Sequence, residues 1–201
     1  MEIIKTISFS QQEILSNIMK LYCPDGFECD PTYSKGFFYK NLKKPEHKFD
    51  INPQTDDTIK ACATKLPLKN RSINNIVFDP PFVATTSKMI KPGSNIIQSR
   101  YSAFPDMLSL RSFYFNCLVE FHRVLKLNGI LIFKCQDSVS DSNQYMNHCH
   151  IWHMARDIGY KELDLFILLA KNRLISGNMH KQQHARKFHS YFLVLLKQAR
   201  K

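Results

Sequence analysis

Ile73-Asn74-Asn75-Ile76-Val77-Phe78-Asp79-Pro80-Pro81-Phe82 is the stretch whose reading decides the fold. Ile76, Val77 and Phe78 form an apolar run of the kind buried on both faces in a parallel sheet. The run stops at an acidic residue and two prolines. Proline has no N–H for a sheet ladder and holds φ near −65°, so the strand cannot continue. A buried strand closed by a stiff, charged loop puts that loop at the carboxyl rim of an α/β sheet, where such sheets bind ligands.

Working outward, Ser10-Gln11-Gln12-Glu13 reads as a capping box before a helix with Ile14, Leu15, Ile18, Met19, Leu21 and Tyr22 at helical spacing, ended by Pro24-Asp25-Gly26. Short strands are expected at Phe27–Cys29, followed by Asp30, and at Lys48–Ile51, which carries Asp50 near its end and stops at Asn52-Pro53. Downstream, residues 83–107 lack periodicity and read as an active-site or target loop. Leu110, Phe113, Tyr114, Cys117, Leu118, Phe121, Val124 and Leu125 mark a helix, with Asn128-Gly129 as its left-handed stop. A strand follows at Ile130–Cys135. Ser140, Asp141 or Ser142 is expected to cap a helix running to Ile158, with Gly159 just beyond. Two last strands, Leu163–Leu169 and Phe188–Leu196, flank a basic segment at 171–187. They lack a clear helix between them, so the final strand is expected to be antiparallel. The whole predicts one α/β domain over 1–201, with an N-terminal helical segment at 1–24, a mostly parallel central sheet and helices on both faces. Asp30, Asp50 and Asp79 should then share one rim.

The bulk composition narrows the class. With 44% hydrophobic and 12% aromatic residues the chain can bury a core, and no apolar run reaches membrane-span length, so a soluble, intracellular protein is expected. Six cysteines without a CxxC pair fit a reducing compartment. His148, Cys149, His150 and His153 match no common zinc spacing and read as the polar face of a helix, so no metal is expected. The net charge of +11 suits a polyanionic partner. Between Lys171 and Lys201 there are eight Lys or Arg residues and no Asp or Glu, which concentrates that charge. Lys171, Arg173, Lys181, Arg186 and Lys187 should return at the rim of Asp79, and Lys88, Lys91 and Arg100 lie in the long loop; all eight are candidate phosphate contacts.

The loop chemistry follows from what an exocyclic amine lacks. Its lone pair is delocalised into the ring, so a catalyst must draw the nitrogen toward tetrahedral geometry. A carboxylate (Asp79) and a carbonyl (Pro80) can each accept one amino hydrogen. The two prolines preorganise these acceptors, and Phe82 offers a flat face for an extruded base.

On these residues the chain resembles the N6-adenine and N4-cytosine DNA methyltransferases, in the compact form found among phage and prophage DNA methylases. The resemblance rests on Asp79-Pro80-Pro81-Phe82, Leu66-Pro67-Leu68, the stretch from Arg123 to Lys134, and His189-Ser190-Tyr191-Phe192-Leu193-Val194. It implies a Rossmann-like class I S-adenosylmethionine-dependent methyltransferase fold, S-adenosyl-L-methionine as cofactor, and transfer to adenine N6 in double-stranded DNA with a flipped base. It further implies Asp30, Pro31, Thr32, Tyr33 and Gly36 as a first cofactor loop, Asp50 on the ribose, and Cys62 and Ala63 beside the cofactor's adenine. Cys62 stands where the family has an acid, and a glycine-rich signature is absent. N4-cytosine, RNA-adenine and protein-lysine substrates remain open, as does a non-catalytic nucleic-acid-binding role. No target-recognition domain is visible, so specificity is expected from the loops, a homodimer or a partner. A prokaryotic or phage-infected cytoplasm is the implied location.

Overall fold

Ile76, Val77 and Phe78 are fully buried at the centre of the sheet, in β5 (Ile73–Phe78). The computed structural model describes residues 3–82, 84, 104–140, 142–172 and 182–199. Ahead of β5 come β1 (Ile7–Ser8), α1 (Gln11–Tyr22), β2 (Cys29–Asp30), a 3-10 turn (Phe37–Tyr39), β3 (His47–Asp50) and β4 (Ile59–Lys60). After it come α2 (Met107–Val124), β6 (Leu125–Cys135), a β7–β8 hairpin (Ser138–Ser140, Asn143–Tyr145), α3 (Asn147–Ile158), β9 (Tyr160–Leu169) and β10 (His189–Lys197). The main sheet of the described residues runs β1-β9-β10-β6-β5-β2-β3-β4. Every neighbouring pair in it is parallel except the two made by β10. This is the expected α/β sheet with an antiparallel last strand.

Period-two alternation sends β5 side chains to opposite faces. Val77 joins Ile14, Leu15, Ile18, Ile132, Phe192 and Val194 under α1. Ile76 and Phe78 join Leu110, Tyr114, Phe121 and Phe133 on the face covered by α2 and α3. Phe78 meets Phe121 and Phe133 edge-on at 4.8 and 4.9 Å, the arrangement ring quadrupoles favour.

Two local expectations are corrected. Asn128-Gly129 does not end α2, which stops at Val124 because Leu125 turns extended and pairs with Ile73. The Lys197 ammonium donates to the His122 and Leu125 carbonyls there, a cation at a helix C-terminus. Asn128, with φ 62°, instead shapes a bulge between Leu125 and Ile130 within β6. A Cβ on Gly129 would lie 2.9 Å from the Lys126 carbonyl oxygen, so only glycine fits that bulge. Ser140 and Ser142 do not cap α3, because that segment pairs as β7–β8. Asp141 lies outside the described residues; the N-cap position is Met146, which makes no side-chain cap, and Asp137 Oδ1 instead accepts the His148 N–H at 3.3 Å. Gly159 does end α3, with φ 115°.

The half of the sheet beyond β5 is thin. β2, β3 and β4 have two, four and two residues. They are joined by turns where β5 and β6 are joined through α2. No described helix is long and apolar enough to cross a membrane.

Candidate active site

β2 and β5 are parallel neighbours, so the turns after them lie side by side, and one hydroxyl joins them. Thr32 donates through Oγ1 to Asp30 Oδ1 at 3.0 Å. Thr32 Oγ1 in turn accepts the Asp79 backbone N–H at 3.0 Å. The first predicted loop therefore fixes the start of the second.

Asp30 sits beneath that junction at 2% exposure, not on its surface. Its Oδ1 also accepts the Thr32 N–H at 2.7 Å, and its Oδ2 accepts the Tyr39 hydroxyl at 2.8 Å. Burial pushes its carboxyl up to about 7; the bonds from Thr32 and Tyr39 pull the other way, and Asp79 adds to the rise. Tyr33 is buried and stacks on Tyr39 with ring centroids 6.0 Å apart. Gly36 adopts φ 69°, and a Cβ there would lie 2.4 Å from the Tyr33 hydroxyl, so the turn accepts only glycine. Pro31 is buried beside them.

Asp50 ends β3 at the same rim, half-buried. Its Oδ2 accepts the Ser34 N–H and its Oδ1 the Asn52 N–H, both at 2.8 Å. Each carboxylate oxygen retains a lone pair for a further donor. Cys62 is half-buried with its Sγ 3.0 Å from the Thr64 hydroxyl, and Ala63 is buried. The Ala61 N–H bonds the Asp50 carbonyl at 3.0 Å, which brings this segment to the same edge.

Asp79 faces a cation the sequence reading did not single out. Lys134 Nζ lies 3.0 Å from Asp79 Oδ2 and 3.0 Å from Gln11 Oε1. It also sits over the Phe38 and Phe192 rings, at 5.1 and 5.7 Å. A lysine inside an apolar strand requires a buried partner, and that was the available signal. Tyr114 of α2 donates to the Pro81 carbonyl at 2.6 Å. Among the described residues no donor reaches the Pro80 carbonyl, and Phe82 is half-buried without an aromatic neighbour.

A second cluster occupies the ends of β6 and β10. Asp137 Oδ1 is 2.7 Å from His148 Nδ1, and the Tyr191 hydroxyl donates to Asp137 Oδ2 at 3.4 Å. His148 stacks on Tyr191 at 4.2 Å, which accounts for one of the clustered histidines. Among the described residues no three His, Cys, Asp or Glu side chains are grouped to hold a metal.

β9 and β6 both run antiparallel to β10, so their carboxyl ends share a rim with the start of β10. Lys171, Arg186 and Lys187 therefore stand on the rim of Asp79. Lys171 reaches over the Phe9 ring at 5.8 Å, and Lys187 donates to the Ala185 carbonyl. Lys88, Lys91, Arg100, Arg173 and Lys181 lie outside the described residues. A groove of about 630 Å³ opens at the opposite end of the strands, lined by Glu28, Lys43, Lys44, Asn74 and Lys126, and contains none of these residues.

No protein-family model and no curated protein matches the sequence. Solved structures do. A Thermotoga maritima S-adenosylmethionine-dependent methyltransferase, provisionally assigned to histamine, aligns over 95% of this chain and 90% of its own, at 14% identity and TM-score 0.52. TrmN from Thermus thermophilus aligns over 92% of this chain and 48% of its own, at 11% identity and TM-score 0.51. Another Thermus thermophilus protein, provisionally assigned as a DNA modification methylase, aligns over 77% of this chain at 15% identity and TM-score 0.48. The chain spans about half of that protein's length, 56% in this alignment. The first two likenesses give the fold, a Rossmann-like class I methyltransferase fold, and a shared fold does not name a substrate.

Proposed function

We propose that this chain is an S-adenosyl-L-methionine-dependent methyltransferase acting on the N6 amino group of adenine in DNA. One observation carries the reading. Asp79 and the Pro80 carbonyl stand at the carboxyl end of the central strand, positioned by Thr32 and Tyr114, and among the described residues no donor bonds the Pro80 oxygen.

The residues at the rim fit the cofactor in part. Asp50, pinned by two backbone N–H groups, suits a pair of ribose hydroxyls. Ala63 and Cys62 would flank its adenine without a carboxylate to read the amino group. Pro31, Thr32, Tyr33 and Gly36 would form the wall beside the methionine portion, with Asp30 supporting them from below. When bound, the cofactor supplies an electrophilic methyl group.

The chain's own part is orientation and proton handling. Asp79 accepts one amino hydrogen and the Pro80 carbonyl the other, which localises the nitrogen lone pair. Phe82 stacks on the extruded base. The proton released after transfer leaves from the side held by Asp79. Lys171, Arg186 and Lys187, with the candidate residues of the two long loops, suit the phosphates beside the flipped nucleotide.

The test is transfer of labelled methyl from S-adenosyl-L-methionine to unmethylated DNA, RNA and protein, followed by identification of the methylated atom. Label on adenine N6 of DNA is expected. Asp79→Ala should lower turnover by at least about a thousandfold while cofactor affinity by calorimetry changes little. Label confined to RNA, to cytosine or to lysine would overturn the substrate assignment, and an active Asp79→Ala protein would overturn the mechanism.

A further inference from the structure

Lys134 is a charged residue in a strand whose neighbours, Phe133 and Cys135, are fully buried. Its side chain is 13% exposed. Four groups from four parts of the chain fix the ammonium: Gln11 at the start of α1, Phe38 in the 3-10 turn, Phe192 in β10, and Asp79. A plain counter-ion for Asp79 would not need that enclosure. An ammonium has three N–H groups. Asp79 Oδ2 and Gln11 Oε1 take two of them, and among the described residues nothing takes the third.

The pair thus presents an acceptor and a donor side by side, 3.0 Å apart. That pattern has a chemical complement. In adenine the amino group at C6 is flanked by the unprotonated ring nitrogen N1, and in cytosine the amino group at C4 is flanked by N3. Each such edge offers a donor next to an acceptor, at the spacing hydrogen-bonding partners of about 3 Å can meet together.

Resting on the methyltransferase reading above, we propose that Lys134 determines specificity by donating to the ring nitrogen beside the amino group that Asp79 holds. The site then recognises an amine with an adjacent ring acceptor, and the two contacts together orient the base in its plane. Asp79 Oδ2 keeps its bond to Lys134, and its other lone pairs receive the amino hydrogen.

The experiment uses the duplex found methylated in the labelling assay, resynthesised with 1-deazaadenine at the target position. In 1-deazaadenine a C–H replaces N1 and the amino group stays. For the wild-type protein kcat/KM should fall about 10- to 100-fold on the analogue, the range of a lost hydrogen bond from a charged donor. Lys134→Met should be slow on adenine, and its preference for adenine over the analogue should collapse toward that expected from amine reactivity alone. Lys134→Arg, which retains a donor and the charge, should keep part of the preference; circular dichroism and cofactor affinity show that both variants fold. The analogue's own effects on pairing and reactivity cancel when the two ratios are compared. An equal preference in wild type and Lys134→Met overturns this inference and leaves the adenine assignment standing. Absence of adenine methylation by the wild-type protein overturns the assignment, and this inference with it.

Discussion

At Asp30 burial and hydrogen bonding pull in opposite directions, and burial wins, raising the carboxyl to about 7. In the unfolded chain the same group titrates near 4. Between those values the folded protein holds the proton and the unfolded chain does not, so stability falls as pH rises through that window and levels above it. The full difference is on the order of 4 kcal/mol. Asp30→Asn removes the titrating group, and its urea-denaturation free energy should lose that fall between pH 4 and pH 8; an identical slope in both proteins would rule Asp30 out as its source. At this scale the sequence was legible only where a residue's neighbours are local. The position of Asp79, Pro80 and Phe82 at the end of a buried strand was readable because an acidic residue and two prolines halt an apolar run locally. Those of Lys134 and Tyr39 were not: the partner of Lys134 lies 55 residues away and is set by strand register, and that of Tyr39 lies 9 residues away across the 3-10 turn.

Two stretches read separately in the sequence prove to be one structure. Glu120 of α2 accepts the Leu66 N–H at 2.6 Å, and Arg123 donates to the Leu66 and Leu68 carbonyls at 3.2 and 2.9 Å. Burial works against the Glu120 charge. Its bonds from Arg123 and Leu66 outweigh that cost and hold the carboxyl below its usual range. The Leu66-Pro67-Leu68 segment, which forms no helix or strand, is thereby anchored to α2. Glu120→Ala should cost about 2 kcal/mol, since it strands Arg123 and the Leu66 N–H together. Thermal melts would measure this, and a shift under about 1 °C would refute it. Strands β5, β6 and β10 and helix α2 were readable because each carries a long apolar pattern. β4 is two residues long, and the β7–β8 hairpin has no apolar face, so nothing periodic marked them.

For the molecule as a whole, the arrangement of charge outranks its sum. Arg186 and Lys187 join Lys171 on the rim of Asp79 only because β10 runs against its neighbours. Reversing Arg186 and Lys187 to glutamate should weaken DNA binding and reduce the slope of log K against log salt by about 2, close to one per phosphate contact. Fluorescence anisotropy between about 50 and 200 mM salt, concentrations chosen to span a large affinity change, would show it; an unaltered slope would remove these two residues from the proposed DNA contact. The antiparallel strand has another consequence, one of timing. β10 lies between β6 and β9, pairing with both, yet it is translated after them. Until residues 189–197 have left the ribosome, those two strands present open edges, and Ile132 and Phe166 lack the Phe192 and Val194 side chains that cover them. A pause after β9 has emerged and before β10 has would hold the nascent chain in that sticky state, so the pace of the last stage of synthesis bears on how much of the protein escapes aggregation.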